Sequence, residues 1–342
     1  MAKKKKSFGI LHGRSTITGT KHRPSSLKPQ KTRELIRRYH VLQKLKFSMI
    51  AKLKQELKLK EIDSEDSFEV ALKASSSELF KTYKRSYDEF KALKVARSEG
   101  PLADAKTLDI DLLLSCLGKI NAELAFRGGI DAYQAASTHG QDKKRGGDSS
   151  KRLITWLRES KYQKIYELNE PLSALEIGSL DPRNNISTCG IFQKVVRIDL
   201  RSNNSLILEQ DFMERPLPIS NEEKFNMISC SLVINFVPSP TGRGLMLRRI
   251  TEFLKEPTST GLSSLFLVLP LPCIANSRYF DKNTLDSIMQ ALGFTQTFYY
   301  EAKKLSYWLY DWGGSSKMKQ IKIQKKIVHP GVSRNNFCIV ME

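Results

Sequence analysis

The second half of the chain alternates short apolar runs with amphipathic stretches. The apolar runs show no polar alternation, a pattern that is typical of parallel strands buried on both faces of a sheet. Strands that alternate with helices predict a doubly wound α/β sheet. We therefore predict strands at residues 174–178, 195–199, 206–212, 225–229 and 264–269, helices at 243–254 and 285–292, and late strands at 298–302, 307–310 and 337–340.

The first half of the chain has helical periodicity instead. Further helices are predicted after Ser76 or Ser77, which can act as N-caps, and from about Asp109 to Phe126. The first helix is predicted over residues 31–60, where apolar positions recur at steps of three, four or seven: Leu35, Tyr39, Leu42, Met49 and Leu53. Its other faces are basic, and they are either a solvated surface or a place of phosphate contact, which carries no sequence information by itself.

Charge is distributed unevenly along the chain. Of the formal net charge of +20, +16 lies in residues 1–60, which hold 18 Lys or Arg and two acids. A basic segment on a nearly neutral body indicates an anionic partner, nucleic acid before membrane. Residues 1–30 are predicted to be disordered, because Pro24 and Pro29 interrupt helices and apolar residues are few. This arm is interpreted as an RNA tether or nuclear address, with a solubilising tail as the alternative.

These patterns divide the chain into three segments. We predict a basic disordered arm at residues 1–30, an all-helical domain at 31–169 and a sheet domain at 170–342. No run of 18 apolar residues is present, so no membrane-spanning helix is expected. The five cysteines are far apart and form no CxxC pair, which predicts a reducing compartment and no zinc site.

Candidate binding residues follow neighbouring predicted strands. Gly178 ends the first apolar run, Asp199 ends the second 21 residues later, and Asp211 ends the third. Open α/β sheets bind ligands at the carboxyl ends of their strands, and an acid about 20 residues after a glycine turn typically holds a ribose. Only one of the three glycines of the dinucleotide motif is present. With Glu176 before the glycine, the set looks instead like a class I S-adenosylmethionine methyltransferase, which has a Rossmann-like sheet.

This likeness gives each residue an expected role toward S-adenosylmethionine. Asp199 is expected to accept hydrogen bonds from both ribose hydroxyls, and Gly178 to leave room for the methionine part of the donor. Glu176 is expected to order water or the ammonium group, and Asp211 to accept from the adenine amino group. The set is more specific than any member, because an isolated Asp at a strand end is usually a helix cap or a turn former.

The reacting base is expected beside the loop that follows the fourth strand. There Phe236 can stack on a base and Asn235 can hydrogen-bond to its edge, while the alternative is a polar loop with a buried phenylalanine. Cys230 is interpreted as a buried structural thiol, because no second cysteine lies nearby to release a covalent adduct. The target is then a ring nitrogen, an amine or a hydroxyl.

A polar motif at residues 146–151, Gly-Gly-Asp-Ser-Ser-Lys, precedes another predicted helix. Asp148 or Ser149 is expected to cap this helix, and the N-terminus of a helix is a natural anion site. A capped linker helix and a ligand-binding element are both open interpretations of the motif.

A set of short motifs along the chain carries a resemblance to a known family. The motifs are Tyr133-Gln-Ala-Ala-Ser137, Gly140-Gln141, Gly146-Gly-Asp-Ser-Ser-Lys151, Leu175-Glu-Ile-Gly178, Ile198-Asp199-Leu200, Gln210-Asp211-Phe212 and Ser231-Leu-Val-Ile-Asn-Phe-Val-Pro238. At these motifs the chain closely resembles the fungal nucleolar methyltransferases that form N1-methyladenosine in large-subunit (25S-type) ribosomal RNA. The resemblance implies an S-adenosylmethionine-dependent enzyme of ribosome biogenesis in the nucleolus, acting on ribosomal RNA or pre-ribosomal particles. By this resemblance the donor-binding residues are Gly178 and Asp199. Animal relatives bind S-adenosylmethionine as sensors, so the alternative is a non-catalytic sensor or assembly protein; the basic arm favours the RNA-modifying branch.

Overall fold

The structure is a computed structural model of the chain. It describes residues 29–59, 65–93, 108–140, 147–159, 161–163, 171–202, 204–258 and 261–342. Residues 1–28 of the predicted basic arm at residues 1–30 therefore lie outside the described residues.

Six helices precede the sheet in the described part of the chain. Ser76 caps the third helix by accepting from the backbone N–H of Leu79, and Asp109 caps the fourth by accepting from that of Leu112. Over the described residues, the prediction of a helical first half and of a cap at Ser76 is confirmed, and the predicted helix start at about Asp109 is confirmed as well. The helices are α1 (Pro29–Glu56), α2 (Glu65–Ser75), α3 (Ser77–Ala92), α4 (Ile110–Phe126), α5 (Gly129–Gly140) and α6 (Ser150–Leu157).

Pro29 begins α1, whereas the sequence pattern predicts that it interrupts helices. The prediction was wrong because the N–H of the first helical residue has no intrahelical partner, and the fixed φ of proline suits that position.

A hydrophobic core joins α1 to α2, α3 and α4. Leu42, Met49 and Leu53 of α1 are fully buried in it, as the helical periodicity predicts. Beside this core, Glu123 of α4 accepts hydrogen bonds from Arg38 of α1 at 2.6 Å and from Arg127 at 2.7 Å. Burial opposes ionisation of Glu123, yet these bonds hold its pKa below the ordinary value. Arg38 donates two hydrogen bonds to Glu123, from Nε at 2.8 Å and from Nη2 at 2.6 Å, and this bidentate contact fixes the rotation of α1 on α4.

The second half of the described chain forms a seven-stranded sheet. Its spatial order is β3-β2-β1-β4-β5-β7-β6. β7 runs antiparallel to both neighbours, and the other pairs are parallel. The strand order reverses between β1 and β4, and open sheets bind ligands at such a switch point. The predicted doubly wound, Rossmann-like sheet is confirmed. The strands are β1 (Ser173–Ile177), β2 (Lys194–Asp199), β3 (Leu208–Glu209), β4 (Met227–Ser231), β5 (Ser264–Pro270), β6 (Phe294–Glu301) and β7 (Leu305–Trp312).

Helices cover both faces of the sheet. One face carries α8 (Pro240–Glu252), α9 (Leu271–Ala275) and α10 (Lys282–Ala291). The other face carries α6 and α7 (Asn185–Thr188), and Trp156 of α6 packs edge-on against Phe266 of β5. The helix α6 thus packs on the sheet although it precedes residue 170. The predicted division into domains at 31–169 and 170–342 stays a prediction.

Two predicted strands near the site have different bounds in the structure. The third shrinks to the two residues of β3, because Leu206 and Leu208 lie exposed at the edge of the sheet. The fourth starts at Met227 instead of residue 225, since Phe225 leaves the sheet and forms an isolated bridge with Leu254. For β3 the apolar run predicts neither the burial of these leucines nor the length of the strand, whereas for β4 it predicts the burial of Phe225 but not the first residue of the strand.

The predicted strand at residues 337–340 is wrong. Phe337 and Ile339 are buried in the core beside α8 and α10, without pairing to the sheet. Packing against helices explains this apolar run, and the nearby backbone of Val340 lies so close to Gly244 of α8 that a Cβ there would overlap the carbonyl oxygen of Val340. The C-terminal segment is thereby fixed beside the start of α8.

Candidate functional site

The structure places Gly178 and Asp199 side by side. Ile177, the last residue of β1, pairs with Ile198 of β2. The N–H of Gly178 and that of Ser179 both donate to the carbonyl oxygen of Ile198, at 2.8 and 3.1 Å. Gly178 and Asp199 therefore follow paired residues at the carboxyl ends of adjacent parallel strands, as the sequence pattern predicts.

Gly178 is required by the backbone and by a close contact. Its φ is +76°, in the left-handed region that favours glycine. A Cβ at this position would lie 2.5 Å from Cγ2 of Val233, in the loop after β4. The tight turn after β1 is thus pressed against the loop in which the reacting base is expected.

Asp199 is the last residue of β2, and Asp211 lies two residues after the end of β3. The Asp199 carboxylate accepts from the N–H of Arg201 at 3.1 Å, and its carbonyl accepts from the N–H of Gln210 at 2.8 Å. The Asp211 carboxylate accepts from the N–H of Met213 at 2.7 Å. Both carboxylates hold local turns, and both are partly exposed. The arrangement gives two oriented acceptors along the edge beside Gly178.

Glu176 lies beneath this edge and is buried. Its carboxylate accepts from Ser179 Oγ at 2.8 Å and from Asn184 Nδ2 at 2.7 Å. Burial raises the pKa of Glu176 to about 7, against the effect of these two hydrogen bonds. Both oxygens bind groups of the loop after β1, so Glu176 shapes that loop. Its expected contact with water or the donor's ammonium group stays a prediction.

The polar motif at residues 146–151 docks on the same end of the sheet. The Asp148 carboxylate accepts from the N–H and the hydroxyl of Ser150, and from the N–H and side-chain amide of Asn185 in α7. Ser149 Oγ lies 2.7 Å from Oγ of Ser231 at the end of β4. The side chain of Ser149 does not cap α6, so of the two candidate caps only Asp148 serves its N-terminus. The sequence marks this motif as polar but carries no signal for its partners.

The expected base-positioning residues lie in a short 3-10 turn, Ile234–Phe236, directly after β4. The ring of Phe236 is stacked on His40 of α1, with centroids 4.1 Å apart and an interplanar angle of 11°. Tyr133 of α5 meets Phe236 edge-on at 5.8 Å. One face of Phe236 is therefore covered, and only its remaining surface is open to the predicted stacking on a base. Nothing in the sequence indicates that α1 and α5 reach this turn.

Asn235 presents an acceptor in the same turn. Its Oδ1 atom is buried, and within the described residues no group hydrogen-bonds to it. Buried polar atoms usually have a partner, so one without a partner beside a binding edge points to a ligand group. At the start of the turn Leu232 has a φ of +59°, an uncommon backbone conformation for a residue with a side chain.

Arg243 of α8 holds the end of this turn. Its guanidinium donates to the carbonyl oxygens of Val237 at 2.9 Å, Pro238 at 3.1 Å and Cys338 at 2.6 Å. The side chain is almost completely buried, and burial lowers its pKa to about 10. Arg243 thus connects the turn to the C-terminal segment, a connection that the sequence did not predict.

Cys230 is a structural thiol. It is fully buried in β4, and burial raises its pKa to about 12, so the nucleophilic thiolate does not form near neutral pH. Among the described residues no group of His, Cys, Asp and Glu is arranged to hold a metal ion. No helix in the described part of the chain is long and apolar enough to cross a membrane.

The solved structures that are similar to this chain include two methyltransferases. The N-methyltransferase NodS from Bradyrhizobium japonicum WM9, in complex with S-adenosyl-L-homocysteine, is 12% identical with a TM-score of 0.34, covering 50% of this chain and 91% of that chain. The 1,6-didemethyltoxoflavin-N1-methyltransferase of Burkholderia thailandensis, with S-adenosylhomocysteine, is 12% identical with a TM-score of 0.35, covering 52% of this chain and 86% of that chain.

Similarity in sequence is much stronger to two yeast proteins. The 25S rRNA (adenine(2142)-N(1))-methyltransferase of Saccharomyces cerevisiae is 35% identical over 353 residues, covering 97% of this chain and 100% of that protein. The 25S rRNA adenine-N(1) methyltransferase of Schizosaccharomyces pombe is 49% identical over 212 residues, covering 62% of this chain and 76% of that protein. The model of the family Bmt2, 25S rRNA (adenine(2142)-N(1))-methyltransferase, matches residues 118–339. With this match and these relatives, the chain belongs to the Bmt2 family of 25S rRNA adenine-N1-methyltransferases.

Proposed function

We propose that this protein transfers a methyl group from S-adenosylmethionine to N1 of an adenine in large-subunit ribosomal RNA. The observation that carries the proposal is the hydrogen bond from the Gly178 N–H to the carbonyl oxygen of Ile198, which sets Gly178 beside Asp199 at the switch point of the sheet. Membership in the Bmt2 family supports the same reaction.

The residues at this edge fit S-adenosylmethionine. When bound, the donor supplies a methyl group on a positively charged sulfur. The Asp199 carboxylate would accept from the ribose hydroxyls, and that of Asp211 would accept from the adenine amino group. Gly178 keeps the turn close and free of a side chain, and Glu176 holds the loop after β1 through Ser179. Each of these roles is supported by the position of the residue at the sheet edge.

The target base needs positioning more than activation. N1 of adenine has a neutral lone pair near pH 7, so no strong base is required, and catalysis rests on aligning this nitrogen with the methyl group. N1 lies on the pairing edge, so the adenine must be unpaired or flipped out. Asn235 Oδ1, a buried acceptor with no partner among the described residues, suits the adenine N6 amine, and the open surface of Phe236 suits the ring.

The cellular substrate is proposed to be a pre-ribosomal particle in the nucleolus. The excess of cations in residues 1–60 supports an RNA partner, because cations that neutralise phosphates supply most of the sequence-independent affinity for nucleic acids.

The reaction is tested with the purified full-length protein, S-adenosylmethionine and ribosomal RNA from a strain that lacks the protein. A methyl group on N1 blocks base pairing, so primer extension is expected to stop at one adenine only when protein and donor are both present. The proposal would be contradicted if calorimetry shows donor binding but primer extension shows no new stop, either with naked RNA or with pre-ribosomal particles as the substrate. That result would favour a donor-binding sensor or assembly protein.

A further inference from the structure

The helix α1 carries two basic residues to the turn after β4. His40 stacks on Phe236 of that turn, and Lys44 lies one helical turn further along on the same face of α1. Lys44 is close enough to His40 to contribute to lowering its pKa, after the larger effect of burial. The side chain of Lys44 is exposed on its outer side, while the packed junction beneath it lowers its own pKa.

A second cation lies in this junction. Burial and, next, the charge of Arg243 lower the pKa of Lys44, so the two cations are electrostatic neighbours across the boundary between α1 and α8. The three hydrogen bonds from Arg243 all go to carbonyl oxygens, which accept protons but carry no full negative charge. These bonds hold the guanidinium in place without neutralising it.

A third cation comes from the C-terminal segment. Residues 317–334 hold six Lys or Arg and no Asp or Glu. Within this run, Lys325 Nζ lies 4.5 Å from the ring centroid of Tyr279 and close enough to Cys338 to lower the pKa of its thiol, which burial raises. Cys338 is also the residue whose carbonyl oxygen binds Arg243. Lys44 lies beside Arg243, and Arg243 and Lys325 share the neighbour Cys338. These three cations, here named the basic seam, lead from the turn at Ile234–Phe236 to the C-terminal segment.

The basic seam has no internal counter-charge. None of its three members forms an ion pair within the part of the chain that the structure describes. Of the carboxylates that the structure describes, none contributes to the pKa of Lys44 or Arg243 either. An acid at the edge of this region, Glu342, accepts from Thr241 at 3.5 Å on the first turn of α8. A buried guanidinium next to exposed lysines, with no acid paired to them among the described residues, favours an anion supplied from outside.

We propose that the basic seam binds a backbone phosphate beside the target nucleotide of the RNA, with Lys44 as the direct contact. This inference rests on the proposed function, since RNA is the anion that must reach the turn at Ile234–Phe236. The methionine carboxylate of the donor is the other anion at the site, but it is expected beside Gly178, on the β1 side. Arg243 is a positioning residue, because it holds the end of the turn through the carbonyl oxygens of Val237 and Pro238. Lys325 adds to the positive electrostatic potential that attracts the phosphate.

The test compares full-length Lys44→Gln with the wild-type protein. Lys91→Gln serves as a matched control, because Lys91 is an exposed lysine in the last turn of α3. RNA affinity is measured by fluorescence anisotropy with a labelled, unmodified transcript of large-subunit ribosomal RNA at several salt concentrations. Loss of one phosphate contact is expected to weaken binding by about threefold to tenfold and to reduce the slope of log Kd against log salt by about 1. Lys44→Arg, which keeps the charge, is expected to retain most of the affinity.

Calorimetry of donor binding shows whether Lys44 contacts a phosphate of the RNA or the carboxylate of the donor. The inference predicts the same donor Kd for Lys44→Gln and the wild-type protein, with an unfolding temperature no lower than that of the wild-type protein, because the folded state disfavours the charge on Lys44. It is overturned if Lys44→Gln binds the transcript like Lys91→Gln, or if the donor Kd rises while RNA binding is unchanged, which would assign Lys44 to the donor carboxylate. Failure of the proposed function has a different signature, because the wild-type protein would then bind the transcript and add no methyl group to adenine.

Discussion

The imidazole ring of His40 lies on the phenyl ring of Phe236, 4.1 Å away and within 11° of parallel. This contact joins the first helix of the chain to the turn that follows the central strand β4. The helical half of the protein is thereby part of the candidate active site, where it supplies the surface against which the turn is held.

His40 gives this contact a dependence on pH. Burial, with a smaller effect of Lys44, lowers the pKa of His40 to about 4. The folded protein then binds fewer protons than the unfolded chain between pH 6.5 and pH 4, so the free energy of unfolding falls as the pH falls through this range. Relative to His40→Phe, which keeps a stacked ring, the wild-type protein is expected to lose at most about 3 kcal/mol. Urea unfolding of both proteins at pH 7 and pH 4.5 measures the difference, and parallel changes in the two would contradict it.

Glu176 is expected to act with the opposite sign. Burial raises its pKa to about 7, so the folded protein binds more protons than the unfolded chain between pH 4.5 and pH 7. The free energy of unfolding then falls as the pH rises through that range. Glu176→Gln can still accept from Asn184 and can donate to Ser179, and above pH 7 it is expected to be more stable than the wild-type protein by about 3 kcal/mol at most. A variant that follows the wild-type pH profile would show that Glu176 titrates normally.

Gly178 permits a direct test of the close approach between the two loops. Gly178→Ala is expected to reduce the free energy of unfolding by about 1–3 kcal/mol through its positive φ, and by more through the contact with Val233. Gly190→Ala is the control, because Gly190 has a φ of +78° and a Cβ added there would meet no atom within 4 Å. Adding Val233→Ala is expected to restore part of the loss only in the Gly178 variant. Equal losses in the two single variants would rule out the steric contact.

Asn235 is expected to contribute to recognition of the base and not to donor binding. Asn235→Ala should lower kcat/KM for RNA by about 10- to 100-fold, the effect of one lost hydrogen bond to a buried group, and leave the donor Kd unchanged. A transcript with purine, which lacks the amino group, at the modified position should impair the wild-type protein and impair Asn235→Ala much less. Equal impairment of both proteins by purine would show that Asn235 does not read that group.

The local features of the fold could be predicted from the sequence, and the contacts between distant segments could not. Gly178 and Asp199 were predictable because, in sheets of this kind, an acid that holds a ribose follows the glycine turn by about 20 residues, at the end of the next strand. The stacking of His40 on Phe236 was not, since the periodicity of α1 marks its buried face without identifying the partner. The same holds for Asp148 and Asn185, which lie 37 residues apart in the chain. Residues 337–340 were wrongly predicted as a strand because packing on helices and pairing in a sheet both require apolar side chains.

Gly178 and Asp199 are proposed to bind the methyl donor together, and the decisive measurement of this claim is isothermal titration of S-adenosylmethionine into Asp199→Ala. Asp88→Ala is the control, because Asp88 forms an exposed ion pair with Lys84 on α3. Removing the acceptor for the ribose hydroxyls is expected to weaken donor binding by at least about tenfold, while the control binds like the wild-type protein. An unchanged donor Kd in a folded Asp199→Ala protein would contradict the claim.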